Sequence, residues 1–431
     1  MIMKRHIAPV LRHSFLLALL ASSPACELKI SELDAGIGDE AEGTGEEQLG
    51  QECMLGTLPE TVGVERDSMD LLCPVTCATG WGHDGEQLPI AWTTPLASGP
   101  LPKSPRALGV LANGRIVAAL ATEGAVFLNF YEPDGLNIGG YDVFDLGSDI
   151  YAVEIVDGTF YVSHGDGLGN LELRAVGVAS QQELWRRSIG GDRSGKLARG
   201  AAELATVITV EGETTTHELQ VFDLDGVPKW ASPVSETGPV AFSPSGARLA
   251  LGGERTRVYA AEDGELLDEF VHGALPSLYV QDVAFVDEDR LITLGTGLEL
   301  ERFDAWLAGD SLAGAPGWER VYGRADSWCP EPNEDQGASA TADVLVDLAI
   351  LADGSALIVG SENFQSAGLL GGQPWVAQVD AEGTLLASDR GLWNGYAAAV
   401  ASGGDGSGFA LLIDNDPDQG DLGHRLRKYA P

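Results

Sequence analysis

Three short stretches bring together residue types that do chemistry. In "AGDSLAG" (308–314) Ser311 offers a nucleophile, and "DLGH" (421–424) offers His424 as base with Asp421 to orient it. A hydroxyl needs such a base before it attacks a carbonyl. "GGDRSGKL" (190–197) spaces Gly190, Gly195 and Lys196 as in a loop that cradles phosphates, but Leu197 stands where a magnesium-binding hydroxyl is required. "DNDPDQGD" (414–421) places Asp414, Asp416 and Asp418 at alternate positions, the spacing of hard oxygen ligands for calcium. Pro417 interrupts that spacing, Gly420 falls one place late, and Arg425 stands where a bidentate Glu belongs. Calcium is the one cofactor the sequence suggests, and a solvated acidic loop is the plainer reading.

The cysteines suggest cross-links rather than catalysis. Apart from Cys26, four remain: Cys53, Cys73, Cys77 and Cys329. In an exported chain an even set reads as two disulfides. The rival is a zinc site built from Cys73, Cys77 and His83. The three disulfide pairings stay open, but Cys329 is the single cysteine of the C-terminal region, so one bridge is expected to reach it from the N-terminal extension.

Export follows from the first residues. Lys4, Arg5 and Arg12 precede the short apolar run "SFLLALLA" (14–21) and the small-residue exit "SSPAC" (22–26), the layout of a signal peptide. The run is too short to span a bilayer. The exit resembles a bacterial lipobox, with Ser23 in place of the usual Leu and Pro24 as a further departure. That resemblance implies lipidation of Cys26 after cleavage and residence in the cell envelope, at the outer membrane or in the periplasm. Without lipidation the chain is secreted. Residues 27–52 carry nine carboxylates against one Lys, which reads as a self-repelling, disordered tether.

Charge narrows the partners. The formal net charge is −39. Nucleic acid is excluded as a partner, because phosphate backbones need Lys and Arg to displace their counterions. Contact with a membrane is expected only through the N-terminal lipid.

What could position these groups is a repeated strand grammar. "GPVAFSPSGARLALGGERTRVYAAEDGELLDEFVH" (238–272) reads as four short strands joined by Ser-Gly and Asp-Gly turns. Related units start near 106, 151, 204, 280, 346 and 397, making seven of the length of a propeller blade. The seventh stops at Pro431 after three strands. "IAWTTPL" (90–96) has the form of the outer strand "PKWASPV" (228–234), so it is expected to cross over and complete the last blade. Trp92, Trp185 and Trp230 recur at equivalent outer-strand places. Over 89–431 the chain resembles the WD-repeat and quinoprotein-like propellers, best in "VAFSPSGARLALGG" (240–253). That resemblance implies a fold and carries over no functional residue.

The expected organisation is therefore a signal peptide (1–25), an acidic tether (26–52), a Cys-containing extension (53–88), and an all-β, seven-bladed propeller of four-stranded blades (89–431). The Gly-Asp-Ser-Leu string at 309–312 resembles the signature of a serine hydrolase family, but that family needs a βα alternation this chain lacks. Long inserts at 324–342, 361–373 and 414–423 are expected on the face that carries the second-to-third loops and the links between blades; a further insert at 304–317 falls on the opposite face. The three hold Trp328, Glu331, Asn333, Glu334, Asp335, Asn363 and Phe364, an aromatic and acidic set suited to a sugar, a cation or a basic partner. The resulting expectation is a monomeric envelope lipoprotein that binds a protein or glycan and has no catalytic activity. The alternative is an exported propeller enzyme, a hydrolase or lyase acting on glycans or esters.

Overall fold

Second strands such as Ile116–Thr122 are apolar throughout rather than alternating, because both of their faces are covered. Val117, Ala119 and Ala121 point into one cluster of buried side chains. Ile116, Ala118 and Leu120 point into another. Successive side chains leave a strand on opposite sides, so a strand sandwiched between two sheets must be apolar at both parities.

The computed structural model describes residues 86–96, 104–122, 124–146, 149–212, 214–272, 278–299, 302–314, 317–322, 341–365, 373–390, 395–415 and 422–431. These form seven antiparallel sheets. Blade one is Ser104–Val110, Ile116–Thr122, Ala125–Tyr131 and Asn137–Val143. Blade two is Ile150–Val156, Thr159–Gly165, Leu171–Gly177 and Glu183–Ser188. Blade three has a broken first strand, Arg193–Ser194 and Ala198–Arg199, then Glu203–Val210, Thr216–Asp223 and Pro228–Val234. Blade four is Val240–Phe242, Arg248–Leu251, Arg255–Ala260 and Leu266–Val271. Blade five is Leu278–Phe285, Arg290–Glu299, Arg302–Ser311 and Trp318–Tyr322. Blade six is Thr341–Ile350, Ala356–Gln365, Gln373–Val379 and Leu385–Arg390, and blade seven supplies Tyr396–Ser402, Gly408–Asn415 and Leu422–Tyr429. The first strands of successive blades contact one another around the ring, blade seven touching blade one, so they line the bore of a seven-bladed β-propeller.

Closure follows the sequence expectation. Ile90–Pro95 pairs antiparallel with Leu422–Tyr429 and becomes the outer strand of blade seven. Behind it a buried polar clamp ties three segments together. Arg427 grips Asp389 on the outer strand of blade six, the Tyr429 hydroxyl donates to the same carboxylate at 2.8 Å, and Arg427 Nε donates to Thr93 Oγ1 at 3.3 Å. One addition was not expected. Glu86–Gln87, placed by the sequence in the extension, runs parallel to Leu385–Arg390 and gives blade six a fifth strand, burying Leu88 behind it.

A girdle of tryptophans locks neighbouring blades. Trp92, Trp185, Trp230 and Trp318 each stand on an outer strand and donate from Nε1 to a carbonyl in the third turn of a following blade, at Pro133, Leu224, Ala261 and Ala381 (3.1, 2.6, 2.8 and 3.0 Å). Each indole lies over the glycine of that turn: Gly135, Gly226, Gly264 and Gly383 have φ of 88°, 74°, 78° and 76°. A Cβ on any of them would sit 2.4 to 2.9 Å from indole atoms. Glycine is required twice over, for the left-handed backbone and for the space.

Candidate functional site

Two faces follow from the strand order. First-to-second and third-to-fourth turns lie on one, the turn face; second-to-third loops and interblade links lie on the other, the loop face. Strands extend further than the sequence implied, which shortens the inserts. Residues 361–365, with Asn363 and Phe364, continue the second strand of blade six, where Ala342 pairs with Phe364. Asp414 continues the second strand of blade seven, opposite Gly423. Residues 304–311 belong to the third strand of blade five. Trp328, Glu331, Asn333, Glu334, Asp335, Asp416, Asp418, Cys26, Cys53, Cys73, Cys77 and Cys329 lie outside the described residues. Among the described residues no three His, Cys, Asp or Glu side chains come together as a metal site. Ser311 ends the third strand of blade five and His424 sits on the third strand of blade seven, so the ring holds this pair on non-adjacent blades.

The bore is where titratable side chains converge. Lys196, in the break of blade three's first strand, reaches across it. Its ammonium lies 2.8 Å from Asp347 Oδ1 and 3.2 Å from Asp282 Oδ1, and donates to the Val346 carbonyl at 3.4 Å. The two aspartates occupy matching places, each directly after an irregularity in its first strand. Each uses its second oxygen to hold the next blade: Asp282 Oδ2 accepts from Leu348 N at 3.0 Å, and Asp347 Oδ2 from Val400 N at 2.9 Å. The tie therefore joins blades three, five, six and seven.

Electrostatics assigns the protons. Burial works to lower the Lys196 pKa, but Asp282 and Asp347 outweigh it and hold the ammonium above its usual range. Asp282 is drawn upward by burial against the pull of Lys196. Water still enters the bore, since 40% of the Lys196 side chain is accessible although protein surrounds it. Glu154, on blade two, makes no hydrogen bond or ion pair among the described residues. Burial, then Asp347, push it up to about 8 despite Lys196, so it carries a proton at neutral pH. Below it Arg199 grips Asp157.

Blades one and seven present a different pair. Arg106 is the extra residue of an irregularity in blade one's first strand, between Pro105 and Ala107. Tyr396 opens the first strand of blade seven. Burial lowers the Arg106 pKa against the influence of Tyr396, and burial raises the Tyr396 phenol against that of Arg106.

A third polar group is sealed between blades four and five. Thr256 Oγ1 lies 2.8 Å from His272 Nε2 and 3.3 Å from Thr293 Oγ1, and the imidazole meets the Trp306 ring edge-on at 4.8 Å. His272 Nε2 is 3.8 Å from Asp310 Oδ2. Burial drives His272 down to about 4, and burial, then Glu319, drive Asp310 up to about 7. This group is buried beyond reach of a ligand.

Sequence reasoning passed over Asp282, Asp347, Glu154, Arg106 and Tyr396. The two aspartates had a signal: "QDVAF" and "VDLAI" each put an Asp in an apolar strand, four residues before the first turn. Lys196 holds that same place before Gly200, and the phosphate-loop reading of its string hid this. No protein-family model matches the chain, and no curated protein matches it either.

Proposed function

We propose that the chain is an exported, lipid-anchored β-propeller that serves as a binding scaffold in the cell envelope, taking a protein or glycan on its loop face. The observation that carries this reading is the route by which the chain enters the ring. Glu86–Gln87 runs parallel to the outer strand of blade six, and Ile90–Pro95 runs antiparallel to Leu422–Tyr429. Both therefore climb from the turn face towards the loop face. The described chain enters the ring at its turn-face end. Loops on a rigid, closed scaffold are where binding resides.

The test has two arms. The chain should partition into detergent, and Cys26→Ser should release it; mature protein starting at Cys26 without a lipid mass removes the anchor. Shortening 366–372, or replacing Trp328 and Phe364, should abolish partner binding at unchanged melting temperature. Binding that survives both changes removes the loop face.

Glu154 supports a second reading, an exported glycan-cleaving enzyme. A carboxyl raised to about 8 by burial and by Asp347 has the protonation of a general acid. Turnover of a glycan panel, lost in Glu154→Gln, would establish it.

A further inference from the structure

We propose that Arg106 and Tyr396 form an oxyanion site at the loop-face end of the bore, so that the ligand of this propeller presents a carboxylate or phosphate group there. The inference rests on the loop face being the binding face.

Its first support is position. The two residues stand on the first strands of blades one and seven, which are in contact. Tyr396 is the first residue of its strand and Arg106 the third of its own, and both strands start from the loop face. The interblade links 97–103 and 391–394 lead directly into them. As a residue Arg106 is exposed, although protein around its guanidinium lowers its pKa.

Its second support is that the described residues offer it no protein partner. Carboxylates outnumber Lys and Arg by 65 to 26 in this chain, so a cation that meets no carboxylate is unusual. Elsewhere on the ring most cations are claimed, Arg115 by Glu132, Arg193 by Glu211, Arg248 by Asp289 and Lys428 by Asp405, while Arg187 and Arg320 donate to backbone carbonyls. Among the described residues Arg106 makes no hydrogen bond or ion pair, and neither does the Tyr396 hydroxyl. Among the described residues the titratable neighbour that Arg106 senses is Tyr396, a neutral phenol at neutral pH, and not a carboxylate.

The chemistry selects the ligand. A guanidinium presents parallel N–H donors matched to two oxygens of one carboxylate or phosphate. The phenol adds a third donor from the neighbouring blade. Lys196 does not compete, because two aspartates already hold it.

The test is calorimetric titration of the full chain with sodium phosphate and, separately, sodium acetate at low ionic strength. One saturable site is expected. Arg106→Gln should weaken it about 10- to 100-fold, the loss of a charge-assisted hydrogen-bonded pair, and Tyr396→Phe about three- to tenfold. Arg193→Gln, which removes a paired loop-face cation, should leave it unchanged. Tighter binding of phosphate marks a phosphorylated ligand, and tighter binding of acetate a carboxylated one. No saturable binding of either anion overturns the proposal. Equal losses in Arg106→Gln and Arg193→Gln also overturn it, since they reveal diffuse surface charge. Should Arg106→Gln fail to fold, unchanged affinity in Tyr396→Phe is the overturning result. The titration involves no macromolecular partner, so its failure is distinct from finding the partner on the turn face.

Discussion

Lys196 on blade three and Asp347 on blade six meet at 2.8 Å across the bore, which joins strands that are not neighbours in the ring. Removing the ammonium leaves Asp282, Asp347 and Glu154 facing one another. Lys196→Met should destabilise the chain by about 1–3 kcal/mol, less than a sealed ion pair because water enters the bore. In urea unfolding, Lys196→Met/Asp347→Asn should recover part of that loss, since it removes one of the repelling charges. A wild-type midpoint for Lys196→Met would show that the tie adds nothing to stability.

The tryptophan girdle can be tested through two glycines of similar backbone. Gly226 and Gly158 have φ of 74° and 77°, but a Cβ at Gly226 meets Trp185 at 2.8 Å while one at Gly158 meets nothing within 4 Å. Gly158→Ala should cost about 1–2 kcal/mol, the left-handed backbone alone. Gly226→Ala should cost about 1–3 kcal/mol more, through displacement of the indole. Equal losses would mean that the indole contact is slack.

How much of this was legible depended on whether a segment carried an apolar pattern. Blade four, with strands such as "RLAL" and "RTRVYA", could be read strand by strand. The form shared by "IAWTTPL" and "PKWASPV" revealed the closure, because both outer strands alternate between exposed and half-buried positions. Blade three could not be read this way. Its first strand is the Gly-rich "RSGKLAR", broken at Gly195 to Leu197, so the sequence took Glu203–Val210 for the first strand when it is the second. Trp318 was missed because the turn it covers, 380–383, lies far along the chain. Arg106 and Tyr396 had no local signal, since their importance comes from ring closure bringing residues from the two ends of the domain together.

Closure itself predicts unequal truncations. Removing 89–97 takes away an outer strand, Trp92 and the Thr93 contact, leaving Arg427 and Asp389 exposed at an open edge. A large, cooperative fall in melting temperature is expected. Removing 27–52 should change it little, because a self-repelling acidic segment buries little surface. Within the clamp, Asp389→Ala leaves the Arg427 charge buried without its partner and should cost about 3–5 kcal/mol. Equal melting temperatures for the two truncations would contradict the closure.

The pH dependence follows from three groups. Glu154 rises to about 8 and Asp310 to about 7 in the folded chain, so each favours the protonated form on folding. Their stabilisation is complete below their unfolded pKa values and is lost as pH rises through 7 to 8. His272 falls to about 4, so its contribution is present above its unfolded pKa and is lost as pH falls through 4. A maximum on the acidic side of neutrality is expected from these groups. Asp310→Asn should match wild type near pH 4 and exceed it at pH 8 by up to about 4 kcal/mol. Parallel stability curves for the two proteins would remove Asp310 from this account.

The most direct measurement is hydrogen–deuterium exchange of the full chain, alone and with the protein or glycan it captures from envelope extract. Protection is predicted in the loop-face segments 166–170, 211–215, 252–254 and 366–372 and at the inner-strand ends around Arg106 and Tyr396. Protection confined to the turn-face segments 111–115, 132–136 and 224–227 would contradict the account.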